Sequence, residues 1–185
     1  MYPDFEPLGK SSLFTILQIC KASTRKSLQG INYYAAEAGE AFDGIRKMVE
    51  DKIALCSYSA RLIENLKRAQ FYLGTCYDNG LGTKKNLVSA FEWYLKAAKA
   101  GHSVAQFNVG FFFATGELGI TDDKKKVFWY SKSANAGFVE AQRDLGYSYF
   151  YGKGIKKDEK KAVYWYKKAA SKKDDKAFYN LGLCY

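Results

Sequence analysis

His102 is the only histidine in the chain, so no pair of imidazoles can share a metal ion, and any Ser-His-Asp or Cys-His hydrolysis would have one base to draw on. It follows Gly101 and reads as a surface turn residue. Cys20, Cys56, Cys76 and Cys184 lie far apart and form no C-x-x-C pair. Neither a zinc ribbon nor a dense disulfide framework is indicated, and the expected location is a reducing compartment, the cytoplasm. Gly80-Leu-Gly-Thr-Lys84 has the outline of a phosphate loop, but the four-residue spacing before Gly-Lys-Ser/Thr is missing and no strand pattern precedes it. The sequence therefore predicts no catalytic residue, no metal and no cofactor.

Charge leaves binding open. The formal net charge is +10, with lysine far outnumbering arginine. That balance fits an acidic partner or an anionic surface, while the shortage of arginine weighs against phosphate or base reading by nucleic-acid contacts. The N-terminus is acidic where a secretory signal is basic, and the apolar residues 13–20 are interrupted by Thr15 and Gln18. No apolar run approaches the roughly 20 residues that cross a bilayer.

These residues must be positioned by some scaffold, and the chain compared with itself reveals one. Ala69, Ala105, Ala141 and Ala177 recur every 36 residues, as do Gly74, Gly110, Gly146 and Gly182. Trp93, Trp129 and Trp165 keep the same period, each followed by a tyrosine, Tyr94, Tyr130 and Tyr166. Each unit reads as two helices. The first starts near the alanine and ends at a glycine pair, Gly80 and Gly82 or Gly152 and Gly154, where left-handed backbone is accessible. Asn86, Asp122 and Asp158 stand where a side-chain oxygen caps the second helix. That helix carries the aromatic pair and stops at Gly101 or Gly137. Alanine and glycine let the backbones approach while Trp and Tyr fill the remaining space, so packing is what repeats. Trp165 is expected to fill the contact between units three and four.

The segments resemble Sel-1-like repeats, relatives of the tetratricopeptide repeat. Unit three carries the pattern most fully: Ala141, Leu145, Gly146 and Tyr149, then Gly152, Gly154 and Asp158, then Lys161, Ala162, Trp165, Tyr166, Lys168, Ala169 and Ala170. Unit one has Asn86 for the aspartate and Ser89 for the lysine. Unit two departs, with Val109 for Leu, Phe113 for Tyr, a displaced Gly119, and Lys126 where a buried alanine is usual. Lys126 is expected to reach out of the contact along its stem. The resemblance implies an all-α fold, a right-handed α/α superhelical solenoid of helix-turn-helix repeats. Its domain covers residues 69–185, as 69–104, 105–140, 141–176 and a partial 177–185.

Residues 1–68 lack the motif. Ile45, Val49, Ile53, Cys56, Ile63 and Leu66 mark one face of a long amphipathic helix, and residues 13–20 predict an earlier one. A helical N-terminal cap over the end of the solenoid, or an interaction segment, is the expected role.

The resemblance also implies function: such arrays act as adaptors or scaffolds that bring signalling or quality-control components together, without catalysis. A cysteine-rich subgroup linked to penicillin binding or hydrolysis has paired cysteines in each repeat, a pattern missing here. At about 100° per residue, positions three, seven and ten of each first helix fall opposite the packed leucine and tyrosine. By similarity to tetratricopeptide arrays that side lines a concave groove. It carries Phe71, Thr75 and Asp78, then Phe107, Phe111 and Ala114, then Arg143, Tyr147 and Phe150. The expectation is a protein or peptide held by Phe111, Tyr147 and Phe150 and oriented by Arg143, with position three, Phe71 and Phe107 above all, open to the alternative of partial burial between helices. The competing reading is a basic platform for acidic proteins or anionic surfaces, built from Lys84, Lys85, Lys156, Lys157, Lys160 and Lys161.

Overall fold

The computed structural model describes residue 47 and residues 60–185, and among them there are seven helices and no strand. In chain order these are α1 (Ala60–Asn79), α2 (Leu87–Lys99), α3 (Ser103–Thr115), α4 (Asp123–Asn135), α5 (Val139–Tyr151), α6 (Glu159–Ala170) and α7 (Asp175–Gly182). They pair as α1 with α2, α3 with α4 and α5 with α6, and each second helix then packs on the first helix of the following unit. The expected N-terminal cap, including the helix face from Ile45 to Ile63, lies outside the residues whose side chains are described; Leu66, its last member, packs beside Leu73 and Trp93.

The caps fall on the residues the repeat singled out. The side-chain oxygens of Asn86, Asp122 and Asp158 accept from the amides of Ser89 (3.1 Å), Lys125 (2.9 Å) and Lys161 (3.0 Å). The backbone amides of the same three residues donate to the carbonyls of Tyr77, Phe113 and Tyr149, which closes each loop onto the end of the preceding helix. The later first helices, α3, α5 and α7, begin two residues ahead of the repeat alanine, and their caps differ. His102 Nδ1 accepts from Ala105 N at 3.2 Å, Asp174 Oδ1 accepts from Ala177 N at 2.7 Å, and Phe138 makes no side-chain cap. His102 is thus a helix cap rather than a plain surface residue.

Within each unit the glycine of the first helix lies under a tyrosine ring of the second. A Cβ added at Gly74, Gly110 or Gly146 would come within 2.5, 2.5 and 2.8 Å of Tyr94, Tyr130 and Tyr166. Those three rings are all buried, as are Ala90, Ala97, Ala105, Ala141, Ala162, Ala169 and Ala177. The tryptophans look the other way. Trp129 joins Ala90, Ala97 and Ala98 of unit one, and Trp165 joins Val127 and Ala134 of unit two. The expectation that Trp165 joins units three and four is therefore corrected: its indole closes the seam behind it, between units two and three. A helical wheel gives the face a residue occupies and leaves open which neighbour covers that face.

Unit two departs where its sequence does. Lys126 is buried among apolar neighbours and its Nζ pairs with Asp123 one turn earlier, so the stem stays in the contact and only the ammonium meets a charge at the helix start. Gly154, at φ 73°, sits so close to the Asp123 backbone that a Cβ would lie 2.1 Å from its carbonyl oxygen. The matching residue one unit earlier is Leu118, which packs near Leu87, and the second left-handed residue moves to Gly119.

Two tests follow from this packing. Gly146→Ala should cost about 1–3 kcal/mol in denaturant unfolding because the tyrosine ring has nowhere to go, whereas Gly182→Ala, whose Cβ would meet nothing within 4 Å, should stay within about 0.5 kcal/mol of the parent. Equal effects would contradict the ring-over-glycine contact. The second concerns acid. Backbone amides of Lys125 and Lys161 hold the Asp122 and Asp158 carboxyls below their ordinary range. A depressed folded pKa gives stability that is present above the unfolded value near 4 and is lost as pH falls through the folded one. Replacing both with Asn, the residue unit one already uses, should flatten the decline of melting temperature below about pH 4; an unchanged acid limb would show that these caps do not contribute to it.

Candidate interaction surface

Position three of each first helix reaches the entry turn of the next unit. The Phe71 ring stacks on His102, with centroids 4.5 Å apart and planes 13° apart. Phe107 lies against Phe138 at 5.2 Å and stacks on Tyr130 at 5.1 Å. Arg143 repeats the contact with charge: its Nη1 donates to Asp174 at 3.0 Å and its Nε to Asp144 at 2.9 Å. Three residues expected to meet a partner therefore form an inter-unit seam, and partial burial at position three is what the structure shows. Burial works against the Arg143 charge, yet the Asp144 and Asp174 carboxylates outweigh it and raise its pKa. Burial raises the pKa of Asp144 in spite of the opposing arginine.

Thr75 and Asp78 are also engaged. The Tyr94 hydroxyl stands 3.2 Å from Asp78 Oδ2 and 3.4 Å from Thr75 Oγ1, within donating distance of both. Burial, first of all, raises the Tyr94 pKa well above its ordinary value, so it remains a neutral donor. The side chains left open on this face are Phe111 (43% exposed), Tyr147 (39%) and Tyr151 (51%), with Ala114 also exposed and Phe150 half-buried. Tyr147 and Tyr151 pack ring to ring at 4.5 Å. Tyr151, absent from the sequence-based set, lies one turn beyond Tyr147 and was detectable from that spacing alone.

Beside Tyr147 the surface opens into a hollow of about 440 Å³ where α5 and α7 approach, lined by Arg143, Asp144, Tyr147, Asp175, Lys176, Tyr179 and Asn180. α5 and α7 touch directly beside this hollow. The hollow has an aromatic wall of Tyr147 and Tyr179, and its two carboxylates are matched by Arg143 and Lys176, Asp144 through a direct ion pair. It suits an apolar or aromatic side chain. Among the described residues no group of three or more His, Cys, Asp or Glu side chains could hold a metal ion, and no helix is long and apolar enough to cross a membrane.

A further repeated feature escaped the sequence reading. Gln70, Gln106 and Gln142 follow the repeat alanine and are buried. Gln106 Nε2 donates to the Ala98 carbonyl and Gln142 Nε2 to the Ala134 carbonyl, both at 3.1 Å, binding the end of one unit's second helix to the next unit's first. Their period of 36 was present in the sequence, but a lone glutamine reads as solvated until the stacking direction is known.

The two kinds of phenylalanine on this face should separate by stability. Phe107→Ala removes the ring that links Tyr130 to Phe138 and should cost about 3 kcal/mol, whereas Phe111→Ala should stay near the ±0.5 kcal/mol typical of surface changes. Comparable losses in urea unfolding would place Phe111 in the seam as well.

The family profile described as Sel1 repeat matches residues 67–102, 103–138 and 139–174, windows that open where α3 and α5 begin. Similar solved structures include a Sel1 repeat protein from Oxalobacter formigenes, 38% identical, covering 63% of this chain and 87% of that one, with a TM-score of 0.59. Another is c5321, described as a protective antigen present in uropathogenic Escherichia coli strains displaying an SLR fold; it is 24% identical, with a TM-score of 0.61 over 92% of this chain and 36% of that chain. Cysteine rich protein B of Helicobacter pylori is 22% identical, with a TM-score of 0.53 over 74% of this chain and 93% of its own. The last two likenesses concern the fold alone. No curated protein matches the chain.

Proposed function

The chain belongs to the Sel1 repeat family, and we propose that it works as a non-catalytic scaffold that holds a segment of a partner protein along its first-helix face. Repeats of this family typically mediate protein interactions, which supports the class of activity. The observation that carries the reading is the open aromatic set Phe111, Tyr147 and Tyr151 beside the hollow at α5 and α7. Exposed aromatics on a rigid helical wall contribute contact area at little entropic cost, and they sit next to a depression that an incoming side chain can enter.

Tyr147 and Tyr179 in that lining favour a segment that presents an apolar or aromatic residue to the hollow. Arg143 contributes by holding α5 to the turn before α7, so the walls of the hollow keep their spacing when a ligand arrives. His102 has its Nδ1 occupied by a backbone amide, which supports a structural role for the chain's one histidine.

The test is the triple change Phe111→Ser, Tyr147→Ser, Tyr151→Ser, with a photo-crosslinking residue at Thr115 to report the partner. Unchanged helical circular dichroism together with lost crosslinking to the partner captured by the parent protein is the expected result. If the triple variant still captures that partner, the first-helix face is not the binding surface.

A further inference from the structure

The outward faces of α4 and α6 carry one stripe twice. Lys124, Phe128 and Lys132 follow each other at four-residue steps on α4, and Lys160, Tyr164 and Lys168 do so on α6, so each trio shares one side of its helix. All six side chains are exposed, with Phe128 and Tyr164 each at 52%. Each of these two rings stands edge-on to a buried tryptophan, Phe128 to Trp129 at 5.1 Å and Tyr164 to Trp165 at 5.2 Å. The Lys132 ammonium lies 4.7 Å from the Phe128 ring centre and the Lys168 ammonium 4.9 Å from that of Tyr164. Charge compensation differs sharply between neighbours. Lys125, Lys126, Lys157 and Lys161 each meet a carboxylate, while Lys124, Lys132, Lys160 and Lys168 form no ion pair among the described residues. In α2 the same places hold Val88, Glu92 and Lys96, so the stripe belongs to units two and three.

We propose that this second-helix face docks on the anionic phospholipid surface of a bilayer. Four uncompensated ammonium groups on flexible stems surround two half-exposed rings, the arrangement in which lysines reach phosphate headgroups while aromatic bodies enter the interfacial layer. In water each ring is partly covered by its own lysine; near a membrane the ammonium can swing to a headgroup and free the ring. Single-stranded nucleic acid fits less well. Both rings stand edge-on to a neighbouring indole, so a base has a single ring face to stack on. Lysine in place of arginine also removes bidentate phosphate contacts. The stripe shares no residue with the Tyr147 hollow.

The full chain would be sedimented with phosphatidylcholine vesicles with and without phosphatidylserine, and titrated with a single-stranded oligonucleotide and with poly-glutamate. Binding should require phosphatidylserine and weaken with salt. Lys124 and Lys160 make no ion pair or ring contact among the described residues, so Lys124→Gln with Lys160→Gln leaves the packing intact and should weaken vesicle binding by about twenty-five-fold, taking about fivefold per lysine. Phe128→Ser with Tyr164→Ser, checked for an unchanged helical signal, should weaken it too. A loop control, Lys84→Gln with Lys85→Gln, should change it by less than about twofold. Absence of phosphatidylserine-dependent binding, equal losses from the loop control, or binding to the oligonucleotide or poly-glutamate alone would each overturn the proposal.

Discussion

The contact on which the array depends is a tyrosine ring laid across a glycine. Gly74, Gly110 and Gly146 let the second helix come close enough for Tyr94, Tyr130 and Tyr166 to cover bare backbone. Once that distance is set, alanines are the side chains that fit at the remaining crossings. In units two and three the tryptophan before that tyrosine is turned the other way: Trp129 and Trp165 reach the unit behind. Adjacent aromatics on one helix thus perform two tasks, one closing its own unit and one closing the joint.

This division explains what could be read from the sequence. Glycine, tyrosine and the caps Asn86, Asp122 and Asp158 act within a unit, where local spacing determines who meets whom, and the period exposes them. Contacts between units are harder to read. Phe71 with His102, Phe107 with Phe138 and Arg143 with Asp174 occupy equivalent places, yet the first two are ring contacts and the third is an ion pair. Only the geometry of stacking shows them as three versions of one joint. The same holds for Gln106 and Gln142, whose bonds to the preceding helix end have no signature in composition.

The candidate site follows the same logic. Helical periodicity puts Phe111 and Tyr147 on one face, and both are exposed, but a projection cannot separate residues reaching solvent from residues reaching the next turn. Position three was therefore grouped with position seven, although its side chains are occupied in the seam. The array's surfaces also differ in how charge is compensated. Arg143 and Asp144 are paired beside the hollow, whereas lysines without ion pairs among the described residues stand on the exposed side of α4 and α6. A basic total charge conceals that difference.

The changing chemistry of the seam makes the stack a chain of unlike couplings. Two of its joints rest on ring contact, which salt barely affects, and the one between α5 and the turn before α7 rests on a guanidinium between two carboxylates. In a linear array, stability is a sum of units and neighbour terms, so joints of unlike chemistry answer to different perturbations. The joint at α7 also buries Ala169, Ala170 and Ala177, and its ion pair is largely shielded from solvent, so salt reaches it only weakly. Loss of the Asp174 carboxylate would loosen α7 while the interior of units one and two stayed closed.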